Sequence, residues 1–177
     1  MHTLLKNLDF HLMAAMLWFR YRSSLPAEAI AEAGVKPGNT VLDFGCGSGG
    51  FSTRASHVAG KNGRVYALDI NPLAATYVAR RAKKKGLNNI QTITSGLKTG
   101  LADKSVNVVL LYDILHHLTE PGPILAELSR VLKDSGRLSA SDHHLTDDQI
   151  IAGITTSGYF RFEEKGKRTY SFSKAGR

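Results

Sequence analysis

Val41-Leu42-Asp43-Phe44-Gly45-Cys46-Gly47-Ser48-Gly49-Gly50 decides the fold. An apolar strand, Thr40 to Phe44, runs into a glycine-rich turn, and the turn into a helix carrying Phe51, Ala55 and Val58. Glycines reach backbone angles closed to other residues and let a ligand approach the main chain closely. A helix beginning just after such a turn points its free N–H groups back at it. The stretch therefore reads as the ligand-binding turn of an α/β domain.

Two kinds of ligand suit the glycines. Gly45, Gly47 and Gly50 satisfy the G-x-G-x-x-G dinucleotide spacing, and Asp69 lies roughly where that motif places its ribose-binding acid. Asp43 argues for the other kind. A carboxylate two residues before the first glycine would repel a pyrophosphate. It would attract the ammonium and sulfonium of S-adenosylmethionine, which carries no phosphate. Asp69 closes a second strand, Val65 to Asp69, and at that edge of a sheet a carboxylate can accept two hydrogen bonds from a ribose diol.

Outward from this turn, apolar strand-like runs alternate with amphipathic helical ones, the signature of a parallel sheet wrapped by helices. Thr40–Phe44, Arg64–Leu68, Ile90–Thr94 and Val106–Tyr112 read as four strands, and Arg137–Ser141 as a fifth behind the turn Asp134-Ser135-Gly136. Asn71 caps a helix with Pro72 in its first turn, ending at Gly86. Pro123 opens another, with Leu125, Leu128 and Val131 on one face. Thr146 to Gln149 is a capping box, and Gly158 follows the helix it starts. Tyr159–Glu164 and Thr169–Ser173 alternate around Lys165-Gly166-Lys167-Arg168, which predicts a closing hairpin and an antiparallel last strand. The domain is expected over residues 35–177. Residues 1–34 form a separate N-terminal helical segment whose stripe of Leu5, Leu8, Leu12, Met16 and Phe19 either packs on the core or covers the acceptor cleft.

Composition narrows the class. The 177 residues fit one domain, and 42% hydrophobic with 21% charged residues is ordinary globular composition. The one cysteine, Cys46, excludes a disulfide framework and a cysteine zinc cluster and suits a reducing, cytoplasmic setting. The apolar run Leu12 to Phe19 is too short to span a bilayer, so no transmembrane segment is expected. The net charge of +8 keeps nucleic acid open as a partner without favouring it. The run Arg80 to Lys85 suits the negative end of a helix dipole equally well.

Val41 to Gly50, Asp69 behind its strand, and Val108 to Leu118 resemble the class I S-adenosylmethionine-dependent methyltransferases, especially the small-molecule branch called type 11. The resemblance implies a three-layer, Rossmann-like α/β sandwich whose seven-stranded, mostly parallel sheet has the order 3-2-1-4-5-7-6, strand 7 antiparallel. It also implies S-adenosyl-L-methionine as cofactor. Asp43, Gly45, Cys46 and Gly47 match the motif around the methionine portion, Asp69 the ribose acid, and Ile70 the apolar residue against adenine. Many relatives have an acid at the end of strand 3, where this chain has Ser95-Gly96-Leu97. The Ser95 hydroxyl and the Leu97 backbone N–H are the expected adenine contacts there. Asn107 stands where relatives commonly have Asp.

Tyr112-Asp113-Ile114-Leu115-His116-His117-Leu118 follows strand 4, on the acceptor side. Tyr112 or Asp113 is expected to face the methionine end of the cofactor, and His116 or His117 to serve as general base. Asp142-His143-His144 follows strand 5 on the same edge, so Asp113, His117, Asp142 and His143 could be neighbours. No ligand spacing supports a metal, and none is expected. The acceptor is expected to be a small molecule or lipid. RNA or protein methylation, an NAD-binding oxidoreductase and a silent ligand-binding module are the alternatives, and a homodimer stays open. An Asn/Asp-Pro-Pro-aromatic motif of amino-methylating nucleic-acid enzymes is missing after strand 4.

Overall fold

A computed structural model describes residues 25–176. The apolar stripe expected to form a helix over residues 1–22, with its role as packing or cover, lies outside the described residues. The elements run α1 (Leu25–Glu32), β1 (Thr40–Phe44), α2 (Gly50–Ala59), β2 (Arg64–Asp69), α3 (Pro72–Lys85), β3 (Ile90–Thr94) and β4 (Val106–Tyr112). A 3-10 turn (Leu115–His117), α4 (Pro121–Val131), β5 (Leu132–Ser141), α5 (Asp147–Thr155), β6 (Phe160–Lys165) and β7 (Tyr170–Lys174) complete the chain.

The strand order is β3-β2-β1-β4-β5-β7-β6, as the resemblance implies. The neighbours from β3 through β5 pair parallel. The strand β7 runs antiparallel to both β5 and β6, so the hairpin inserts its second strand into the sheet.

The layers follow from alternation along the central strands. Val41, Val108 and Leu110 face one side and pack with Ile30, Phe51 and Ala55 of α1 and α2. Leu42, Val109 and Leu111 face the other and pack with Leu125 and Leu128 of α4 and Ile150 and Ile154 of α5. Both faces are covered, so β4 reads as a continuous apolar run. Each fully buried Leu or Ile contributes roughly 1.5–3 kcal/mol to holding these layers together. Ile30 is fully buried in the core, so α1 is an integral part of the helical layer on its face.

The hairpin strands sit one residue later than expected, and two boundaries differ by more. The helix α4 starts at Pro121, two residues before Pro123, because Pro121 fills the first helical position without needing an N–H. The strand β5 starts at Leu132, because Leu132 pairs with Val106 and the ladder resumes at Arg137 opposite Val108. The Asp134-Ser135-Gly136 turn is thus absorbed as an irregularity within the strand. Asn107 has a structural place beside it, its Oδ1 accepting from the Thr40 backbone N–H at 2.9 Å and from Lys133 Nζ at 3.2 Å. No helix among the described residues is long and apolar enough to cross a membrane.

Candidate functional site

The glycine loop leaves β1 at the carboxyl edge of the sheet and is pinned there by the neighbouring strand. The Gly45 and Cys46 N–H groups both donate to the Leu68 carbonyl, at 2.8 and 2.9 Å. Gly45 and Gly49 sit at φ of 78° and 79°, the left-handed region that disfavours other residues. Space is short as well: a Cβ on Gly49 would lie 2.7 Å from Val78 Cγ2, and one on Gly45 would lie 3.0 Å from Ile114 Cγ1. The second contact also locates the segment after β4, since Ile114 rests directly on the loop.

Asp69 joins both halves of the cradle. Its Oδ2 accepts from the Gly47 N–H at 2.8 Å and its Oδ1 from the Asn71 N–H at 2.8 Å. Capping of α3 falls to Asn71, whose Oδ1 accepts from the Leu73 N–H at 3.0 Å. Each Asp69 oxygen keeps a lone pair, so the carboxylate is held in place while still able to accept from a diol.

Asp43 is buried at 2% exposure and accepts a short hydrogen bond from Ser52 Oγ. Burial raises its pKa to about 6; the Ser52 hydrogen bond opposes that rise and the nearby Asp69 charge adds to it. A carboxylate held in such surroundings is one that a cation would stabilise. Ser48 Oγ is buried in the same loop with no hydrogen-bond partner among the described residues. Beyond Asp69, Ile70 is 74% exposed and Leu97 37%, both apolar and both at the open edge. A Cβ on Gly96 would come within 3.0 Å of Ile70 Cδ1, so the glycine lets Ile70 lie flat over that edge. The residues present thus suit S-adenosylmethionine: a buried acid for its cationic end, an orphaned hydroxyl in the loop, a carboxylate for its ribose and apolar surface for its adenine.

Two sequence expectations are revised here. The Tyr112 side chain is buried in the core: its ring packs edge-on to Phe51 with centroids 4.6 Å apart, and its hydroxyl pairs with Ser139 Oγ at 2.8 Å. The even position in a strand buried on both faces sends this side chain into the α1/α2 core, and burial pushes its pKa up. At the end of β3, the Leu97 N–H donates to Ser95 Oγ at 3.2 Å, so that N–H is used within the turn, while the Ser95 hydroxyl keeps a second lone pair. Cys46 is buried against Ala67, Ala74 and Val78, and burial raises its thiol pKa far beyond the reactive range.

The segments after β4 and β5 meet. His116 Nδ1 lies 2.8 Å from Asp142 Oδ2, and the Asp142 carboxylate also accepts from the His116 and His144 backbone N–H groups, at 3.1 and 3.0 Å. The Asp142 side chain is fully buried and that of His116 is 18% exposed. Burial alone would raise the Asp142 pKa, but these bonds outweigh it and hold the acid below its ordinary value. His143 pairs likewise with Asp113, Nδ1 to Oδ1 at 2.8 Å. The rings of His116 and His117 lie 3.9 Å apart, and those of His116 and His144 4.3 Å apart. Burial and the neighbouring His116 lower the His117 pKa, leaving that ring neutral at pH 7. Ligand atoms of Asp113, Asp142 and His143 come within 4.8 Å of one another, the dimension of a cation's cage. Each carboxylate already accepts from an imidazole and from backbone N–H groups.

Sequence reasoning brought Asp142 only into the neighbourhood and missed Ser52 altogether. The Ser52 contact depends on how tightly the loop turns into α2, for which the sequence carries no spacing signal.

Comparison with known proteins places the chain. The family described as methyltransferase domain matches residues 35–175. The ubiquinone/menaquinone biosynthesis C-methyltransferase UbiE of Paraburkholderia phymatum is 32% identical over 137 residues, covering 77% of this chain and 56% of the relative. Its counterpart in Hydrogenovibrio crunogenus is 27% identical over 146 residues, covering 81% and 58%. The chain thus spans little more than half the length of these curated relatives. A SAM-dependent methyltransferase from Aquifex aeolicus superposes with a TM-score of 0.74 at 27% identity, over 85% of this chain and 89% of that one. A protein from Methanococcus maripaludis shares the fold with a TM-score of 0.77 at 14% identity, over 95% and 93%.

Proposed function

The chain belongs to the methyltransferase-domain family, within the class I S-adenosylmethionine-dependent methyltransferases, and we propose that it methylates a ring carbon of a small hydroxylated aromatic acceptor of the quinol type. The observation that carries the reading is the His116–Asp142 pair, set beside the glycine loop through Ile114. The names of the UbiE relatives support a quinone-related acceptor.

When bound, the cofactor supplies an electrophilic methyl group on a sulfonium and leaves as S-adenosylhomocysteine. Asp43 and the loop hold its cationic end, Asp69 its ribose, and Ile70 its adenine. The Asp142 carboxylate can only accept, so the His116 Nδ1 donates to it, and in the neutral ring this leaves Nε2 as the acceptor. That nitrogen takes the proton of an acceptor hydroxyl, which raises electron density at the neighbouring ring carbon. The activated ring carbon would take up that methyl group, and the hydrogen it displaces from the ring would leave as a proton. Alignment and exclusion of water supply much of the remaining acceleration.

Incubation with methyl-labelled cofactor and a water-soluble hydroquinone bearing a free ring position tests this. The account expects label on ring carbon, lost in His116→Ala while S-adenosylhomocysteine still binds. Label appearing only in added RNA or protein would overturn the acceptor assignment.

A further inference from the structure

The positive charge of this protein is segregated. Residues 35–100 contain ten Lys and Arg and only two acids, Asp43 and Asp69, a net +8 that equals the charge of the whole chain. Both acids are turned into the cofactor cradle, one buried on Ser52 and one bound to Gly47 and Asn71. The outer surface that residues 35–100 themselves contribute therefore carries cations without carboxylates. In the other half the arginines are neutralised: Arg130 pairs with Asp103 and Glu127, Arg137 with Glu164, Arg161 with Glu163 and Arg168 with Glu28.

Three of these cations, Arg54, Arg81 and Lys85, converge on a cleft of about 420 Å³ between α2, α3 and the start of α1. Thr53, Arg54 and His57 line one wall at helical spacing along α2, Arg81 and Lys85 line the other along α3, and Pro26 closes one end. Among the described residues, no acidic side chain lines it. Among the described residues Arg54, His57 and Lys85 make no ion pair. The end-of-helix dipole accounts for cations at Lys83 to Lys85. It does not account for Arg54, in the body of the facing helix, on the same cleft.

From this convergence we infer that the cleft binds the phosphate group of a small phosphate ester, separately from the cofactor. Guanidinium and ammonium groups on opposing walls suit phosphate oxygens, the arginine as a fork and the lysine as a point charge. The volume lies within the range of small-ligand pockets and exceeds a bare phosphate, so the ligand carries more than its phosphate. A soluble ester and a phospholipid headgroup share this chemistry.

The test uses the full chain loaded with S-adenosylhomocysteine at low salt, titrated with inorganic pyrophosphate and followed by backbone amide chemical shifts. Shift changes should concentrate on α2 and α3 and diminish as added salt shortens the screening length. Arg54→Gln with Lys85→Gln should weaken binding by about tenfold or more, the scale of charge-assisted hydrogen bonds, with S-adenosylhomocysteine affinity unchanged as the folding control. A second arm measures sedimentation with phosphatidylcholine vesicles with and without phosphatidylglycerol. Binding that requires phosphatidylglycerol and both cations assigns the headgroup, and pyrophosphate binding alone assigns a soluble ester. Shifts elsewhere on the molecule, undiminished binding by the double variant, or duplex RNA binding that survives in that variant would overturn the inference.

Discussion

The Asp69 carboxylate accepts the backbone N–H of Gly47 at 2.8 Å, joining the end of β2 to the glycine loop after β1. One side chain therefore shapes the loop and, in the proposed site, is the acceptor for the ribose. Loss of the carboxylate removes both functions at once. Asp69→Ala should weaken S-adenosylhomocysteine by about 1–3 kcal/mol, or roughly five- to 150-fold in Kd. Titration calorimetry checks this, and an unchanged affinity would take Asp69 out of the site.

The close approach of Gly49 to Val78 predicts a coupling. Gly49→Ala meets both a left-handed backbone and a 2.7 Å contact with Val78 Cγ2, and should cost about 1–3 kcal/mol of stability. Val78→Ala costs stability by itself through the cavity it leaves. The double variant is expected to be more stable than the sum of the two single losses predicts, because the clash partner is gone. Denaturant melts of the four proteins measure the coupling, and simple additivity would show that backbone strain alone disfavours alanine at 49.

His116 and Asp142 should separate chemistry from binding. His116→Ala is expected to lower kcat by about 10²- to 10⁴-fold, the range of a positioned proton acceptor, with S-adenosylhomocysteine affinity unchanged. Asp142→Asn keeps the shape but removes the charge that fixes the ring, so kcat should fall while the fold persists. Stability should also fall, since the Asp142 carboxyl is held below its ordinary pKa. That contribution is present above the ordinary carboxylate range and is lost as the pH drops through the native value. Asp142→Asn should therefore flatten the acid limb of the wild-type stability curve. A variant with full turnover would confine the pair to holding the loop.

Much of this architecture was legible because its physics is local. Strands buried on both faces announce themselves as apolar runs, Asn71-Pro72 and Gly86 bracket α3, and the hairpin alternation fixes the antiparallel end of the sheet. The juxtaposition of Asp43, the glycines and Asp69 was legible for the same reason, since all stand at strand ends. What the sequence hid depends on side-chain direction and on meetings across the sheet. Tyr112 is a strand-end residue whose parity turns it into the core, where Ser139 satisfies it. Ser95 and Leu97 form a local turn that uses the Leu97 N–H. Asp142 and His116 are 26 residues apart and meet only because β4 and β5 are neighbours. The confinement of net charge to one half was countable from the sequence, but the cleft that focuses it needed the packing of α2 on α3.

Asp43 makes stability and cofactor binding depend on pH in opposite senses. Its native pKa is raised to about 6 from 3.8, so between those values the native state holds a proton that the unfolded chain has released. Stability of the cofactor-free protein therefore falls as the pH rises through that window. The fully ionised group costs about 3 kcal/mol at neutral pH, at 1.36 kcal/mol per unit. Asp43→Asn removes this cost, keeps an acceptor for Ser52, and should make the cofactor-free protein more stable at pH 7 by an amount of that order. A melting temperature lower than the parent's at pH 7 would contradict the assignment.

The most direct test sets S-adenosylmethionine against NAD on the same substitution. Both ligands use the glycines, but only one brings positive charge to Asp43. The parent should bind S-adenosylmethionine, and Asp43→Asn should weaken that binding by about 1–3 kcal/mol, with the parent's affinity falling as the pH drops below 6 and the variant's staying flat. For NAD the variant should bind no worse than the parent, since a repulsion has been removed. Tighter NAD binding by Asp43→Asn, together with no S-adenosylmethionine binding by the parent, would contradict the account.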